Sequence, residues 1–215
     1  MNYPDLPFSG RRAEAARNDE RILEAAREVY VADPDTPISA VARRAGVGMS
    51  ALYRRYPSKE DLLRRLCGDG LKLYIAEAEA ALADEADPWT SFARFVRNIV
   101  DADTASLTLR LAGTFTPTEE LVADGARSQE LNIQLVERTK TAGDLRPDFD
   151  VNDLALIIEQ IAAIRVGDEE RTRQLRRRYL TLTLQAVHAP AAPPLPGPAP
   201  TWEEVSGRWG QSRLA

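Results

Sequence analysis

Between residues 38 and 56 two short apolar-periodic segments, "ISAVARRA" and "MSALYRRY", are separated only by "GVG". So short a connection forces two helices into a tight crossing, and the residue types fit it. Ala42 lets the helices approach closely, and Gly46 can take the positive φ that ends the first of them. Val47, Leu52 and Tyr56 fall where they pack inward against Ile22, Val29 and Val41. Met49, Ser50, Tyr53 and Arg54, spaced i, i+1, i+4 and i+5, project from the other face of the second helix. The pattern is a helix-turn-helix.

Helical spacing continues along the chain, and no stretch alternates apolar and polar residues as a strand would, so the expected fold is all-α. A first helix spans about residues 14–31, with Ile22, Ala26, Val29 and Tyr30 on one stripe. Thr36 as N-cap with Pro37 at the first helical position opens a second, which ends near Gly46. The third covers 48–55. Pro57 disfavours helix at Tyr56, and Ser58 with Asp61 resembles a capping box that opens a long fourth helix toward Ala83. Pro88, Pro117 and Pro147 punctuate the remainder, where helices are expected near 89–101, 105–113, 118–141, 152–165 and 169–188.

Composition sets the limits of function. At 215 residues and 44% hydrophobic, the chain has material for one large domain or a small one fused to a larger one. The net charge is −5, yet residues 36–66 carry seven basic side chains against two acidic, a local +5 that leaves −10 for everything else. That distribution argues against general affinity for polyanions and for one confined anion-facing surface. No apolar run approaches a membrane span, and the polar, proline-bearing start lacks a signal peptide's apolar centre, so a cytoplasmic location is expected. The lone cysteine, Cys67, sits in an apolar helical pattern as a buried thiol would. His188 is the only histidine, no cluster has zinc-ligand spacing, and neither a P-loop nor GxGxxG occurs. The expectation is therefore no enzyme, no catalytic residues, no metal and no cofactor.

The segment "RILEAA" followed by "ISAVARRAGVGMSALYRRYPSKEDLL" resembles the three-helix DNA-binding domain and linking helix of the TetR family of transcriptional regulators. "GDLRPDFDVNDLALIIEQIAAI" and "RRRYLTLTLQAV" look like the last two helices of that family's regulatory domain, which usually form a dimer's four-helix interface. The resemblance implies an N-terminal helix-turn-helix domain, a C-terminal helical ligand-binding and dimerisation domain, and double-stranded operator DNA as a partner. Carried over by position, it places Thr36 and Ser39 on phosphates. Met49, Ser50 and Ala51 approach base edges, with Gly48 permitting close backbone contact, and Tyr53 bonds a phosphate through its hydroxyl. Lys59, in the first turn of the fourth helix, adds its charge to the helix dipole on another phosphate. Arg54 and Arg55 have two open roles, phosphate contact being commoner than bidentate reading of guanine. Arg11 and Arg12, in an arm before the first helix, reach the minor groove or a phosphate in the complex.

Apolar stripes suggest how the rest assembles. Leu154, Ile157, Ile158 and Ile161 line one helix and Leu175, Tyr179 and Leu182 the next, so the pair can meet each other or a second copy. If the resemblance holds, Phe92, Phe95, Ile99, Leu109, Phe115 and Leu135 wall a small-molecule pocket, with Arg110, Asn132 and Gln134 orienting an inducer; core packing is the competing role for each aromatic. "APAAPPLPGPAP" cannot be helix or core strand and forms a linker or strap, after which "TWEE" matches a capping box that opens a short helix or a disordered tail. The expected divisions are a flexible basic arm (1–16), the DNA-binding domain (17–60), the ligand and dimer domain (61–188) and the strap (189–215). The whole reads as a dimeric one-component regulator, a repressor released by a small-molecule inducer. The alternative is a ligand-independent dimeric DNA-binding regulator or architectural protein.

Overall fold

The computed structural model describes residues 8–103, 107, 111, 113–188 and 193–210. Its helices are α1 (Phe8–Ala32), α2 (Ile38–Ala45), α3 (Met49–Arg55), α4 (Lys59–Ala83), α5 (Pro88–Asp101), α6 (Glu119–Thr141), α7 (Val151–Ala162), α8 (Glu169–Val187) and α9 (Trp202–Gly210). The protein is all-α. Most of the helix expected over 105–113 lies outside the described residues, as do the side chains of 8–13 and 208–210. By contact the chain divides into two compact units, Met1–Leu66 and Cys67–Ala215.

In the first unit α1 lies along α2 and α2 meets α3. Their shared interior is built from Ile22, Ala26 and Tyr30 of α1, Val41 and Ala42 of α2, Leu52 of α3 and Leu62, Leu63 and Leu66 of α4, all buried. Each fully buried leucine or isoleucine contributes about 1.5–3 kcal/mol, enough to hold helices too short to persist alone. α1 begins at Phe8 rather than near Glu14, so the backbone at Arg11 and Arg12 is helical and not an arm preceding the helix; their side chains lie outside the described residues.

In the second unit the starts of helices are set locally. Asp87 accepts from the Thr90 N–H at 2.9 Å, Thr118 from Leu121 at 3.3 Å and Asp168 from Arg171 at 2.8 Å. α7 opens on a full capping box, Asp150 with Asp153. Two helix ends are set from far away in sequence. Arg138 donates to the carbonyls of Ala81 and Leu82 at the end of α4 and to Asp84 and Ala86 just beyond. Arg176, buried, donates to Ala162 and Ile164, which is why α7 stops at Ala162 and not near Arg165. Phe92, Phe95, Val96, Ile99, Leu131, Leu135, Leu154, Ile158, Leu180 and Leu184 close into one apolar core.

The proline-rich segment is a strap fastened at three points. Arg146 donates to the Pro193 carbonyl at 2.8 Å, the Leu195 N–H to Asp148 at 2.6 Å, and Asn152 to the Pro200 carbonyl at 2.9 Å. Arg146 and the Leu195 amide together hold the Asp148 carboxyl down at about 2. Thr201 and Glu204 then form the expected capping box, and α9 follows with Val205 buried. Trp202 is half exposed. Among the described residues no helix is long and apolar enough to cross a membrane.

Candidate nucleic-acid interface

The turn between α2 and α3 has the geometry its glycine permits. Gly46 sits at φ 64° and ψ 37°, donates to the carbonyls of Ala42 and Arg43, and hands the chain to Val47, whose N–H also returns to Ala42. The carbonyls of Ala45 and Gly46 are taken by the Arg21 guanidinium of α1. Arg21 escaped the sequence reading because nothing in its own neighbourhood signals a partner 24 residues on. α3 is pinned by Leu52, fully buried, and by Tyr56 just after it.

The opposite face of α3 is free. Met49, Ser50, Tyr53 and Arg54 are exposed and Ala51 is half-buried. A side chain added at Gly48 would meet nothing within 4 Å, so the backbone there is open to close approach. Ser39 is exposed on α2, and Arg43, one turn further along the same face, is exposed with no ion pair among the described residues. Arg43 is one of the seven basic side chains of residues 36–66, and its i, i+4 spacing from Ser39 puts the two on one face of α2.

Three expected DNA contacts have other partners in this structure. Arg55 forms a fork on Asp19, with Nε to Oδ1 at 2.7 Å and Nη2 to Oδ2 at 2.9 Å, while the Tyr56 hydroxyl donates to the same carboxylate at 2.6 Å. The Arg55 hydrogen bond is the main reason that the Asp19 carboxyl titrates below its ordinary range, against partial burial that opposes it. Lys59 does begin α4, but its ammonium donates to the carbonyls of Pro34 at 2.7 Å and Thr36 at 3.1 Å and lies 5.0 Å from the centroid of the Tyr30 ring. Thr36 is not the N-cap of α2. Its hydroxyl donates to Asp33 at 3.0 Å in a turn that Asp33 also closes through the Asp35 N–H, and Pro37 caps without a side-chain bond. Arg44 pairs with Glu28. Arg64 pairs with Glu60 and Asp61. The basic segment thus does two jobs: Arg44, Arg55 and Lys59 tie α2, α3 and the start of α4 to α1 and the loop after it, and Arg43 and Arg54 face solvent.

In the second unit the expected pocket walls are closed on each other. Phe92, Phe95, Ile99 and Leu135 are buried in the core, and Asn132 accepts from the Tyr74 hydroxyl at 2.9 Å. Gln134 is exposed on α6, turned away from that core by the helical period, and Phe115 is half-buried in the turn before it; Leu109 and Arg110 lie outside the described residues. A cleft lined by Ile99, Val100, Asp103, Ile158, Ala162 and Arg176 leaves no room for a water-sized sphere. The expected interface residues also divide. Leu154, Ile158 and Ile161 belong to the unit's own core, Ile157 and Leu175 are half-buried, and Tyr179 and Leu182 are exposed at 49% and 51%.

Comparison with known proteins agrees with this geometry. A profile of bacterial regulatory proteins of the tetR family matches residues 22–66, the span of α1 to α4 that forms the first unit's interior. The chain is 27% identical over 154 residues to the HTH-type transcriptional repressor LfrR of Mycolicibacterium smegmatis, covering 69% of this chain and 75% of that protein. The crystal structure of the TetR transcription regulatory protein from Mycobacterium vanbaalenii superposes with a TM-score of 0.55 at 25% identity, over 82% of this chain and 98% of that one. That of LfrR from Mycobacterium smegmatis in complex with proflavine shares the fold, with a TM-score of 0.55 at 23% identity over 77% and 95% of the two chains.

Proposed function

The chain belongs to the TetR family of transcriptional regulators, and from that premise we propose that it is a dimeric repressor that binds a near-palindromic operator through the first unit and leaves it when a small molecule binds the second. The observation that carries the DNA half is the outward face of α3. Met49, Ser50, Tyr53 and Arg54 stand unshielded on a helix whose other side is anchored by Leu52 and Tyr56. Tyr53 and Arg54 supply phosphate contacts, with Ser39 and Arg43 of α2 alongside. Met49 to Ala51 offer few hydrogen bonds, so sequence preference rests on thymine methyls and DNA shape.

Binding to a duplex selected from a random pool tests this. Tyr53→Phe or Arg54→Ala weakens binding by about five- to tenfold, and Arg54→Ala lowers the slope of log affinity on log salt by about one, with thermal stability unchanged. Lys59→Ala and Arg55→Ala lower stability first, because their partners lie within the protein. Unaltered affinity in both Tyr53→Phe and Arg54→Ala would remove α3 as the reader.

Support for an inducer comes from LfrR, whose solved complex holds proflavine. A second reading, a ligand-independent regulator whose C-terminal unit only dimerises, is favoured by the closed packing of Phe92, Phe95, Ile99 and Leu135. Titration with proflavine separates the two: a raised melting temperature together with release of the selected duplex supports the inducible repressor, and neither effect supports the second reading.

A further inference from the structure

α3 is seven residues long, and a single fully buried side chain, Leu52, anchors its middle. One apolar anchor fixes where so short a helix sits but not how it is turned about its own axis. The turn is set at its C-terminal end, where a carboxylate of α1 gathers both residues that follow Arg54. Asp19, its side chain only 15% exposed, takes Arg55 Nε on Oδ1 at 2.7 Å, Arg55 Nη2 on Oδ2 at 2.9 Å and the Tyr56 hydroxyl on Oδ1 at 2.6 Å. Paired bonds from a planar guanidinium tolerate little rotation, and the bond from Tyr56 comes from a ring that is itself buried. With side-chain ends about 5–6 Å from a helix axis, a turn of about 10° moves them by about 1 Å. Such a shift spoils a hydrogen bond to a base edge but barely changes the attraction of a cation for a phosphate.

We propose that Asp19 is a positioning residue for sequence readout: by holding Arg55 and Tyr56 it fixes the rotation of α3, and so the placement of Met49, Ser50 and Ala51 against base edges, without touching DNA itself. The inference rests on the reading that α3 enters the groove. It predicts a split between two affinities. Attraction to phosphates is common to every sequence and needs only charge near the backbone, whereas base readout needs atoms in place. Asp19→Asn removes a negative charge from the DNA-binding unit and leaves one acceptor oxygen where the fork needs two, so attraction to any duplex is kept or strengthened while preference among duplexes falls. Arg55→Lys keeps the positive charge but cannot form the fork, and it lowers preference in the same way.

The test compares the affinity of the full-length protein for the duplex selected from a random pool with that for a scrambled duplex of equal length and composition. Their ratio is immune to any loss of folded protein, which lowers both alike. The ratio falls about tenfold in Asp19→Asn and in Arg55→Lys, the double variant loses no more than either alone, and the scrambled duplex is bound as tightly as before or more so. An unchanged ratio in Asp19→Asn, even with both affinities reduced, overturns the proposal and confines Asp19 to stability. A ratio preserved in Arg55→Lys, or single losses that multiply in the double variant, overturns it as well, because the fork would not be what sets α3. Tyr53→Phe and Arg54→Ala, measured alongside, keep the two readings apart. If both bind the selected duplex normally, α3 is not the reader and the role of Asp19 fails with it; if they bind it weakly while Asp19→Asn keeps its ratio, the reader stands and Asp19 alone is removed.

Discussion

Asp19 is a single carboxylate that joins two helices, since it takes a two-toothed bond from Arg55 and a third bond from the buried Tyr56 at the end of α3. Removing it strands a buried hydroxyl as well as breaking an ion pair, and the first of these matters more. Arg55 is half exposed, and exposed pairs are worth little in water. Asp19→Ala therefore lowers stability by about 1–3 kcal/mol in urea unfolding. The pH dependence has a definite sign. The folded-state pKa of Asp19 is below its unfolded value, so its contribution is complete above the ordinary carboxylate range and disappears as pH falls through the depressed folded value. Unfolding midpoints measured across acid pH fall less steeply in Asp19→Asn than in the unaltered protein; equal steepness would mean that other carboxylates carry the acid limb.

At the scale of elements, the end of α2 rests on one backbone conformation. A side chain at Gly46 meets two penalties at once: φ is 64°, and the new Cβ comes within 2.8 Å of the Arg21 guanidinium that caps the helix. Gly46→Ala costs about 1–2 kcal/mol from the backbone alone, read in the urea midpoint, and more if Arg21 gives up its carbonyls. Gly48→Ala, at ordinary φ and in open space, leaves stability within about 0.5 kcal/mol, and so serves as the control. This pair also marks what the sequence made legible. Gly46, the prolines and the Thr118 and Asp168 caps act on residues a few positions away, so the turn and most helix starts could be read from the chain. The end of α4 at Ala83 falls where the sequence reading expects it, but the end of α7 could not be read, because Arg176 reaches it across the fold. The same limit applied at the candidate interface. Spacing alone put Tyr53 and Arg54 on the outward face of α3, but that Arg55 and Lys59 hold α1 and its following loop is a tertiary fact without a local pattern. An apolar stripe, likewise, announces that it will be covered and not by what: Leu154, Ile158 and Ile161 are covered within their own unit.

For the whole molecule the open question is what covers α8 on its second side. Arg176, Leu180, Leu184 and Val187 are buried along one stripe, while Leu175, Tyr179, Leu182 and Ala186 recur at helical spacing on another, with Tyr179 and Leu182 about half exposed. A helix with two apolar stripes needs two neighbours, and the proposed dimer supplies the second through α7 and α8 of each copy. Leu182→Glu places a charge where that face must be dry, and because the site is exposed in a single chain it leaves the fold intact. Leu180→Glu, on the buried stripe, unfolds the unit, so the two variants separate assembly from folding. Sedimentation of Leu182→Glu at micromolar concentration gives a monomer with unchanged helical circular dichroism. Its affinity for a palindromic duplex falls by about a hundredfold or more, because each head must then bind its half-site without the effective concentration that its partner provides. A half-site duplex, which one head can fill, is bound equally by both proteins. A dimer that survives Leu182→Glu would move the interface away from α8, and equal affinity for the palindrome would mean that the two heads act independently.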